Sequence, residues 1–351
     1  MSYPGLSNEE RIARLAPPRG KVKAVLDTDT YNEVDDQFAL AYALLSKERF
    51  DIDAVYSVPF SATFFEKLLN TNNIGIPMTN DLGAGLEQSH KEIINIFNLL
   101  NMDHEGKVFK GSSSYMKTIN QPVESEAARD LVARAMESKE LLYVISIGEA
   151  TNVASAILME PEIIKKIVVV WLAGQPLYWP HAIEFNLGQD VLASQTVLNC
   201  GVPLVLVPCM TVASSLTTTT PELNALLNGK SRVGTYLSNI VNSQLNAEAA
   251  ANMHKLFRLT YCSKLDDYAD DVAEIKSESP MAPSRIIWDV STIGYMVNPN
   301  WCPSTLVPTP YLNDKIIWEH DDSRHLMRIC KHIYRDGVFG DMFYKLANAP
   351  Q

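Results

Sequence analysis

The chain has 351 residues, of which 46% are hydrophobic and 20% charged, a composition that supports a large folded core and excludes general disorder. Its formal net charge of -11 argues against nucleic-acid binding, because that binding depends on lysine and arginine neutralising phosphates. A small neutral or cationic ligand fits this charge better. We expect an N-terminal arm over residues 1–20 and a single α/β domain over residues 21–351.

The cysteines and the apolar segments bear on where the protein resides. The first 20 residues lack the apolar core of a secretory signal, and the most apolar segment, residues 167–174, is too short to span a bilayer. We therefore expect a cytoplasmic protein that does not bind membranes. The five cysteines are odd in number and without metal-ligand spacing, so we expect reduced thiols at Cys200, Cys209, Cys262, Cys302 and Cys330.

In chain order, the arm comes first and ends in Pro17 and Pro18, which block helix formation. We expect it to be extended over the surface, where a partner subunit can reach it. The β-branched run at residues 22–26 predicts a buried strand, and apolar residues recur at helical spacing after it. The turn between this strand and this helix carries four carboxylates, namely Asp27, Asp29, Asp35 and Asp36.

This carboxylate cluster needs a physical explanation. Packing so many like charges together costs several kcal/mol unless a cation, a proton or amide donors compensate them. Helix capping accounts for Asp35 and Asp36 but not for Asp27 and Asp29 as well. A hard cation such as calcium takes about six to eight oxygen ligands, so a bound divalent metal is the simplest explanation.

The following segments predict a mostly parallel central sheet flanked by helices, of the Rossmann-type open kind. Continuous apolar strands that alternate with helices indicate a parallel sheet covered on both faces. An Asn- and Gly-rich stretch at residues 59–85 reads as a functional loop. Further strands are predicted at 51–58, 141–147, 165–174 and 202–209, and helices at 86–100, 124–138, 151–159 and 190–200.

Ligands of such sheets bind beyond the carboxyl ends of the strands. The aspartate cluster, the turn after Ile147 and the loop after Gly174 all fall at that edge. Asp289 and the backbone carbonyls beside Gly148 are candidates for remote metal ligands. A carboxylate left free of the metal would be available as a base toward a bound water.

The C-terminal third predicts helices and a small antiparallel addition. Residues 221–260 read as helical, the acidic stretch 264–284 as a solvated face or loop, and residues 285–297 as a helix. Short antiparallel strands are predicted near 304–311, 315–320 and 325–334, followed by a helix at 336–347.

Two known motifs were compared with the aspartate-rich turn. An EF-hand loop starting at Asp27 requires Gly and Glu where Asn32 and Phe38 stand, so this motif is excluded. The strand followed by DxD also resembles the first motif of haloacid-dehalogenase-type phosphatases, with Asp27 as nucleophile. Tyr31 occupies the position of the Thr or Val of that motif, and this function is kept as an alternative.

The pattern strand-DTDxxxxxDDxxA resembles the N-terminal signature of the calcium-dependent nucleoside hydrolases, of the inosine-uridine-preferring kind. Three later segments resemble those of the same family in the same order: ISIGEATNVASAI at 145–157, the EFN-containing stretch at 183–208, and RIIWDV from residue 285. The resemblance runs from about residue 22 to 300. It implies a nucleoside-hydrolase-like fold and hydrolysis of a ribonucleoside to ribose and free base, with calcium (Ca2+) as cofactor.

The resemblance also implies roles for single residues. Asp35 matches the base that deprotonates the attacking water, and Asp27 matches an acid that supports the site from behind. Glu184 and Asn186 match residues that hold the ribose hydroxyls. The implied calcium ligands are Asp29, Asp36, Asp289 and the carbonyl of Ile147. We further expect a role in nucleoside catabolism or purine salvage and a homo-oligomer, either a dimer or a tetramer.

Several positions depart from the family pattern. The turn between Asp29 and Asp35 is two residues longer than usual. Ser61 and Tyr178 stand where the family carries asparagines, and Trp288 stands where many members carry the histidine of a leaving-group acid. These changes motivate a further alternative, a protein that binds a ribosyl ligand with calcium but turns it over poorly.

Three side chains near the same edge are candidates for contact with the base. Trp179, His181 and Trp288 can stack on a nucleobase or protonate it, since aromatic faces bind such rings well. For the two tryptophans, the alternative is ordinary core packing.

Overall fold

Eight strands form the central sheet of the computed structural model, which describes residues 3–69, 78–244 and 284–351. Its spatial order is β3-β2-β1-β4-β5-β6-β12-β9, with the strands numbered along the chain. The strands are β1 (Val22–Thr28), β2 (Phe50–Ser57), β3 (Val108–Lys110), β4 (Leu142–Ser146), β5 (Ile167–Leu172), β6 (Leu204–Val207), β7 (Thr217–Thr219), β8 (Ser284–Ile286), β9 (Ser304–Pro308), β10 (Tyr311–Leu312), β11 (Trp318–Glu319) and β12 (Leu326–Cys330).

Helices cover both faces of this sheet. They are α1 (Asn8–Arg14), α2 (Asp35–Leu45), α3 (Thr63–Leu69), α4 (Leu82–Leu99), α5 (Glu126–Glu137), α6 (Thr151–Met159), α7 (Phe185–Gln189), α8 (Val191–Asn199), α9 (Thr220–Leu226), α10 (Arg232–Gln244), α11 (Val290–Val297) and α12 (Arg335–Ala347). Short 3-10 turns lie at Pro161–Lys165, Ala213–Ser215 and Pro299–Trp301.

Parallel pairing runs through most of the sheet and confirms the predicted fold class. Strand β1 lies between β2 and β4, so Asp27 is paired with Tyr56 on one side and with Ser146 on the other. Strand β12 pairs in parallel with β6 and antiparallel with β9. The predicted C-terminal antiparallel strands therefore extend the central sheet, while β10 and β11 form a separate small sheet.

Two apolar clusters hold the layers together, one on each face of the sheet. Alternate residues of β1 point to opposite faces, with Val25 in one cluster and Leu26 in the other. Helices α2, α4, α10, α11 and α12 pack on one side, and α5, α6 and α8 on the other. Burial on both faces explains why β1, β4 and β5 read as continuous apolar runs.

The sequence predicted an extended N-terminal arm, but the arm is partly helical. Its central part forms α1, because Ser7 and Glu10 make a reciprocal capping box that satisfies the first amides of the helix. Arg14 donates to the carbonyl of Lys165, and Arg328 donates to the carbonyl of Leu15. The helix thus packs on the chain's own sheet ahead of the proline pair.

Other segments depart from the sequence prediction. The expected loop at 59–85 contains α3 and the start of α4, while residues 70–77 lie outside the described part. The predicted helix at 285–297 begins as strand β8, which pairs with β7, and becomes helical only at Val290. Beyond α10, the remaining helical prediction and the acidic stretch through residue 283 fall outside the described residues.

Within the described ranges, no helix is both long and apolar enough to cross a membrane. Four of the predicted thiols are free cysteines, and Cys262 lies outside the described residues: the four are Cys200, Cys209, Cys302 and Cys330.

Candidate active site

A cavity that is open to solvent lies beyond the carboxyl ends of β1, β4 and β5. The turn after β4 is joined to β1, because the amide of Ile147 donates to the carbonyl of Asp27 at 2.8 Å. Four acidic side chains line the cavity, namely Glu33, Asp35, Glu184 and Asp289.

The densest charge at this site comes from Asp35, Asp36 and Asp289. The first two occupy the first turn of α2, and Asp289 is the N-cap residue of α11. One carboxylate oxygen from each of the three lies within 4.8 Å of the others, and all three side chains are buried. Burial raises the pKa of Asp35 to about 7, and burial together with the neighbouring acids raises the pKa of Asp36 and Asp289 well above the usual range. An oxygen-only set of this kind suits a hard divalent cation.

Asp29 is fully buried beside this group without belonging to it. Its Oδ2 accepts a hydrogen bond from Asn32 Nδ2 at 2.9 Å, while its Oδ1 has no hydrogen-bond partner among the described residues. Gly148 approaches closely here, since a Cβ at that position would lie 3.2 Å from Asp29 Oδ1. Asp36 Oδ2 is likewise buried without a partner in the described part of the chain. Buried carboxylate oxygens without a donor need compensation of their charge, which a bound cation would supply.

Asp27 lies one layer deeper, within β1. Its carboxylate accepts hydrogen bonds from Asn152 Nδ2 at 2.9 Å and Ser146 Oγ at 3.3 Å. Burial raises the pKa of Asp27 to about 7, against the opposing effect of these two donors. Asp27 is not among the described residues that line the cavity.

Glu184 and Asn186 are both buried at the start of α7. Glu184 accepts hydrogen bonds from the backbone amides of Gly174, Asn186 and Leu187, and burial raises its pKa to about 7. Asn186 Nδ2 donates to the carbonyl of Ile147 at 3.2 Å and to that of Leu172 at 3.1 Å. Asn186 therefore ties together the ends of β4 and β5 at the wall of the cavity.

The three predicted base contacts occupy two places. Trp288 lines the cavity immediately before Asp289. Trp179 and His181 lie in the loop after β5, with their rings edge to face at 6.1 Å, and neither is among the described residues that line the cavity. Ile183, two residues after His181, does line it.

An aromatic wall was missed by the sequence interpretation. Phe65 and Phe185 are stacked with centroids 4.6 Å apart, and Phe64 meets Phe185 edge to face at 5.9 Å. All three line the cavity, and Gly188 leaves the space that the ring of Phe64 fills. Their signal is the adjacent phenylalanine pair at 64 and 65 within a segment read as a loop.

The chain is similar in sequence to one protein family and to several known proteins. The family model described as inosine-uridine preferring nucleoside hydrolase matches residues 24–313. Probable uridine nucleosidase 2 of Arabidopsis thaliana is 25% identical over 228 residues, which cover 63% of this chain and 69% of that protein. The pyrimidine-specific ribonucleoside hydrolase RihA of Escherichia coli O9:H4 is 26% identical over 182 residues, 49% of this chain and 56% of RihA.

Solved structures share the fold at low identity. A purine-preferring ribonucleoside hydrolase from Gardnerella vaginalis superposes with a TM-score of 0.65 at 16% identity, covering 93% of this chain and 99% of that one. The plant nucleoside hydrolase PpNRh1 gives a TM-score of 0.64 at 14% identity, with the same coverage. The type III effector XopQ, solved with adenosine diphosphate ribose, gives 0.61 at 14% identity, covering 97% of this chain and 96% of that one.

Proposed function

The chain belongs to the inosine-uridine preferring nucleoside hydrolase family, whose model matches residues 24–313, and from this premise we propose that it hydrolyses the N-glycosidic bond of a ribonucleoside to ribose and free base. The family model and the relatives indicate a hydrolase that acts on nucleosides, which confirms the predicted enzyme class. The observation that carries the proposed reaction is the buried group Asp35, Asp36 and Asp289 at the cavity.

Calcium is the proposed cofactor. The donors are oxygens only, and two of them, on Asp29 and Asp36, are buried without a hydrogen-bond partner in the described part of the chain. A hard cation prefers such donors, whereas a zinc site uses histidine or cysteine. The residues that would hold the ion are Asp29, Asp36, Asp289 and the carbonyl of Ile147. When bound, the ion supplies positive charge that lowers the pKa of a coordinated water and attracts ribose hydroxyls.

Asp35 is the proposed general base. Its carboxylate lines the cavity and would accept a proton from the attacking water. Burial raises its pKa to about 7; Glu33 acts in the same direction and Arg285 in the opposite one. A cation held by Asp36 and Asp289 would lower this pKa and favour the ionised carboxylate of Asp35, which is the form that accepts the proton.

The acidic cavity suits the charge that develops during the reaction. Cleavage of a glycosidic bond places positive charge on the sugar ring, and preorganised carboxylates stabilise that charge. Glu184 and Asn186 are the proposed contacts to the ribose hydroxyls. Trp288, on the cavity wall, is the proposed stacking partner of the base. Trp179 and His181 stay predicted base contacts that would reach the ligand from the neighbouring loop.

The test is a panel of purine and pyrimidine nucleosides, incubated with purified protein in calcium or in a chelator while free base is measured. Uridine is the first substrate to try, because two of the sequence relatives are named for uridine and for pyrimidine ribonucleosides. We expect release in calcium and none in chelator. Asp35→Asn should lower kcat by about 10²- to 10⁴-fold. Asp336→Asn, whose side chain is 96% exposed, is the matched control.

The same panel separates the alternatives. Release that persists in chelator or in Asp35→Asn contradicts the proposed mechanism. Calcium and nucleoside binding with no release would favour a binding protein. The phosphatase is disfavoured, because Asp27, its required nucleophile, accepts two hydrogen bonds behind the cavity wall. A cytoplasmic location, a homo-oligomer and a role in purine salvage stay predictions of the sequence.

A further inference from the structure

An ion pair joins two distant parts of the chain at the rim of the aspartate group. Arg285 Nη2 lies 2.5 Å from Glu33 Oε2, although the two residues are 252 positions apart. Glu33 belongs to the turn between β1 and α2, and Arg285 belongs to β8. Their side chains are only 11% and 8% exposed, so both charges are largely removed from water.

Glu33 is held at the cavity by the turn itself. It lines the cavity together with Asp35 and Trp288. The side chain of Asn32 accepts a hydrogen bond from the amide of Glu33 and donates to Asp29, so one side chain links Glu33 to the aspartate group. Tyr31, with φ of 98°, adopts the left-handed region that non-glycine residues rarely occupy, and strained residues of this kind cluster at functional sites.

Stability alone explains this pair poorly. Burying two charges carries a desolvation penalty that their attraction offsets only when the remaining donors are also satisfied. Arg285 Nε is buried and has no hydrogen-bond partner among the described residues. An apolar pair of similar volume would fill the same space without leaving that donor unpaired. The pair therefore points to a role at the cavity that Glu33 fronts.

Building on the proposed nucleoside hydrolysis, we propose that Glu33 is a specificity-determining residue whose carboxylate accepts a hydrogen bond from the substrate. Oε2 is engaged by Arg285, and Oε1 is the oxygen that we propose to accept the hydrogen bond. Arg285 is a positioning residue that holds the carboxylate in place. The chemistry it recognises is an N–H or O–H donor, and a nucleoside offers two sources: the ring N–H of the base and the 5′-hydroxyl of the sugar.

The experiment measures steady-state hydrolysis of uridine, 3-methyluridine and 5′-deoxyuridine by the wild type and by Glu33→Gln. 3-Methyluridine lacks the ring N–H donor of the base, and 5′-deoxyuridine lacks the 5′-hydroxyl donor of the sugar. We expect Glu33→Gln to raise the KM of uridine about tenfold, because a neutral amide oxygen accepts a weaker hydrogen bond than a carboxylate does, with a smaller change in kcat. The analogue that lacks the recognised donor should bind the wild type about tenfold more weakly and respond little to the substitution. An equal rise in KM for all three substrates overturns the inference.

A matched control and a second variant guard against a folding effect. Glu222 forms a similar ion pair with Arg335 away from the cavity, so Glu222→Gln should leave all three KM values unchanged. If Glu33→Gln unfolds because Arg285 loses its partner, Glu33→Gln with Arg285→Gln removes both charges together. The KM values of the double variant for the three substrates should match those expected for Glu33→Gln alone. If they equal the wild-type values instead, the inference is overturned.

Direct binding distinguishes this inference from the proposed function. Calorimetric titration of uridine and its two analogues into the wild type and Glu33→Gln needs no turnover. Selective weakening of uridine binding without any base release would leave the inference standing and remove the proposed hydrolysis. Base release that does not depend on Glu33 would support the proposed hydrolysis and overturn the inference about Glu33. The absence of nucleoside binding would overturn both.

Discussion

Asp35 and Asp36 are chain neighbours whose carboxylates have different partners. Asp36 Oδ1 accepts a hydrogen bond from Thr28 Oγ1 at 2.5 Å, which favours the charged form of Asp36. The pKa of Asp35 is instead raised by burial and by the charge of Glu33, and lowered by the charge of Arg285. Asp36 is thus oriented by a fixed donor, as a metal ligand requires. The pKa of Asp35 is set by burial and nearby charges, as a general base requires.

Replacement of Thr28 by valine tests the orientation of Asp36. The substitution preserves the volume of a fully buried side chain but removes the donor to Asp36. Because groups that orient a metal ligand typically contribute about 10- to 100-fold to affinity or activity, we expect calcium binding to weaken by that range. Isothermal titration of the chelator-treated protein with calcium measures it.

Thr309→Val is the control for this substitution. Thr309 is equally buried, and its Oγ1 has no hydrogen-bond partner in the described part of the chain. Valine there should leave calcium affinity unchanged. Equal weakening in both variants would mean that the loss follows from general destabilisation of the core rather than from the orientation of Asp36.

At the scale of elements, Asn152 joins a helix to a strand. It lies in the first turn of α6, and its Nδ2 donates to Asp27 at the end of β1. Its Oδ1 accepts hydrogen bonds from both the amide and the hydroxyl of Ser112. A single buried amide therefore fixes α6 against β1 and against the segment that follows β3.

Asn152→Ala should destabilise the fold by about 1–3 kcal/mol, because it removes the acceptor of the buried Ser112 amide and one of the two donors to the carboxylate of Asp27. Urea denaturation followed by circular dichroism measures the free energy of unfolding. The exposed Asn228→Ala should change it by less than about 0.5 kcal/mol. A loss below that figure in Asn152→Ala would show that water replaces the missing amide.

The local pattern of apolar residues was sufficient to predict the strands and helices that are buried along their whole length. Strands β1, β4 and β5, and the helix beginning at Thr151, were predicted within a few residues, because their apolar periodicity reflects burial in the sheet and its flanking helices. Helix α1 was missed although Ser7 and Glu10 form its capping box, since the proline pair was taken to rule out helix in the arm. Strand β8 was missed because three residues that pair with β7 carry no periodicity of their own.

Some features of the candidate site could likewise be predicted from the sequence, and others could not. The aspartates of residues 27–36 lie in one stretch, so their proximity follows from the sequence. The ion pair of Glu33 with Arg285 and the stacking of Phe65 on Phe185 depend on how distant loops meet. No local pattern predicts them, because side chains from separate parts of the chain are brought together only by the packing of the whole sheet.

The molecule as a whole concentrates acidic groups at one edge of its sheet. Burial raises the pKa of Asp27, Asp35 and Glu184 to about 7, from usual values near 4. Such an acid adds stability at low pH, where it is protonated in both the folded and the unfolded states. That contribution is lost as the pH rises through the folded pKa, because ionisation then favours the unfolded chain.

The metal-free protein should therefore be less stable at pH 8 than at pH 6. Binding of calcium to the folded state alone should reverse this trend, since ionised carboxylates bind it better, and calcium at 100 times its Kd adds about 2.7 kcal/mol. Thermal unfolding in chelator and in calcium, at both pH values, measures the effect. We expect Tm in chelator to fall by about 5 °C from pH 6 to pH 8, and the gain from calcium to be larger at pH 8. A Tm in chelator that rises over this range would mean that the buried acids are already ionised and compensated by the protein, which would leave no electrostatic need for a cation.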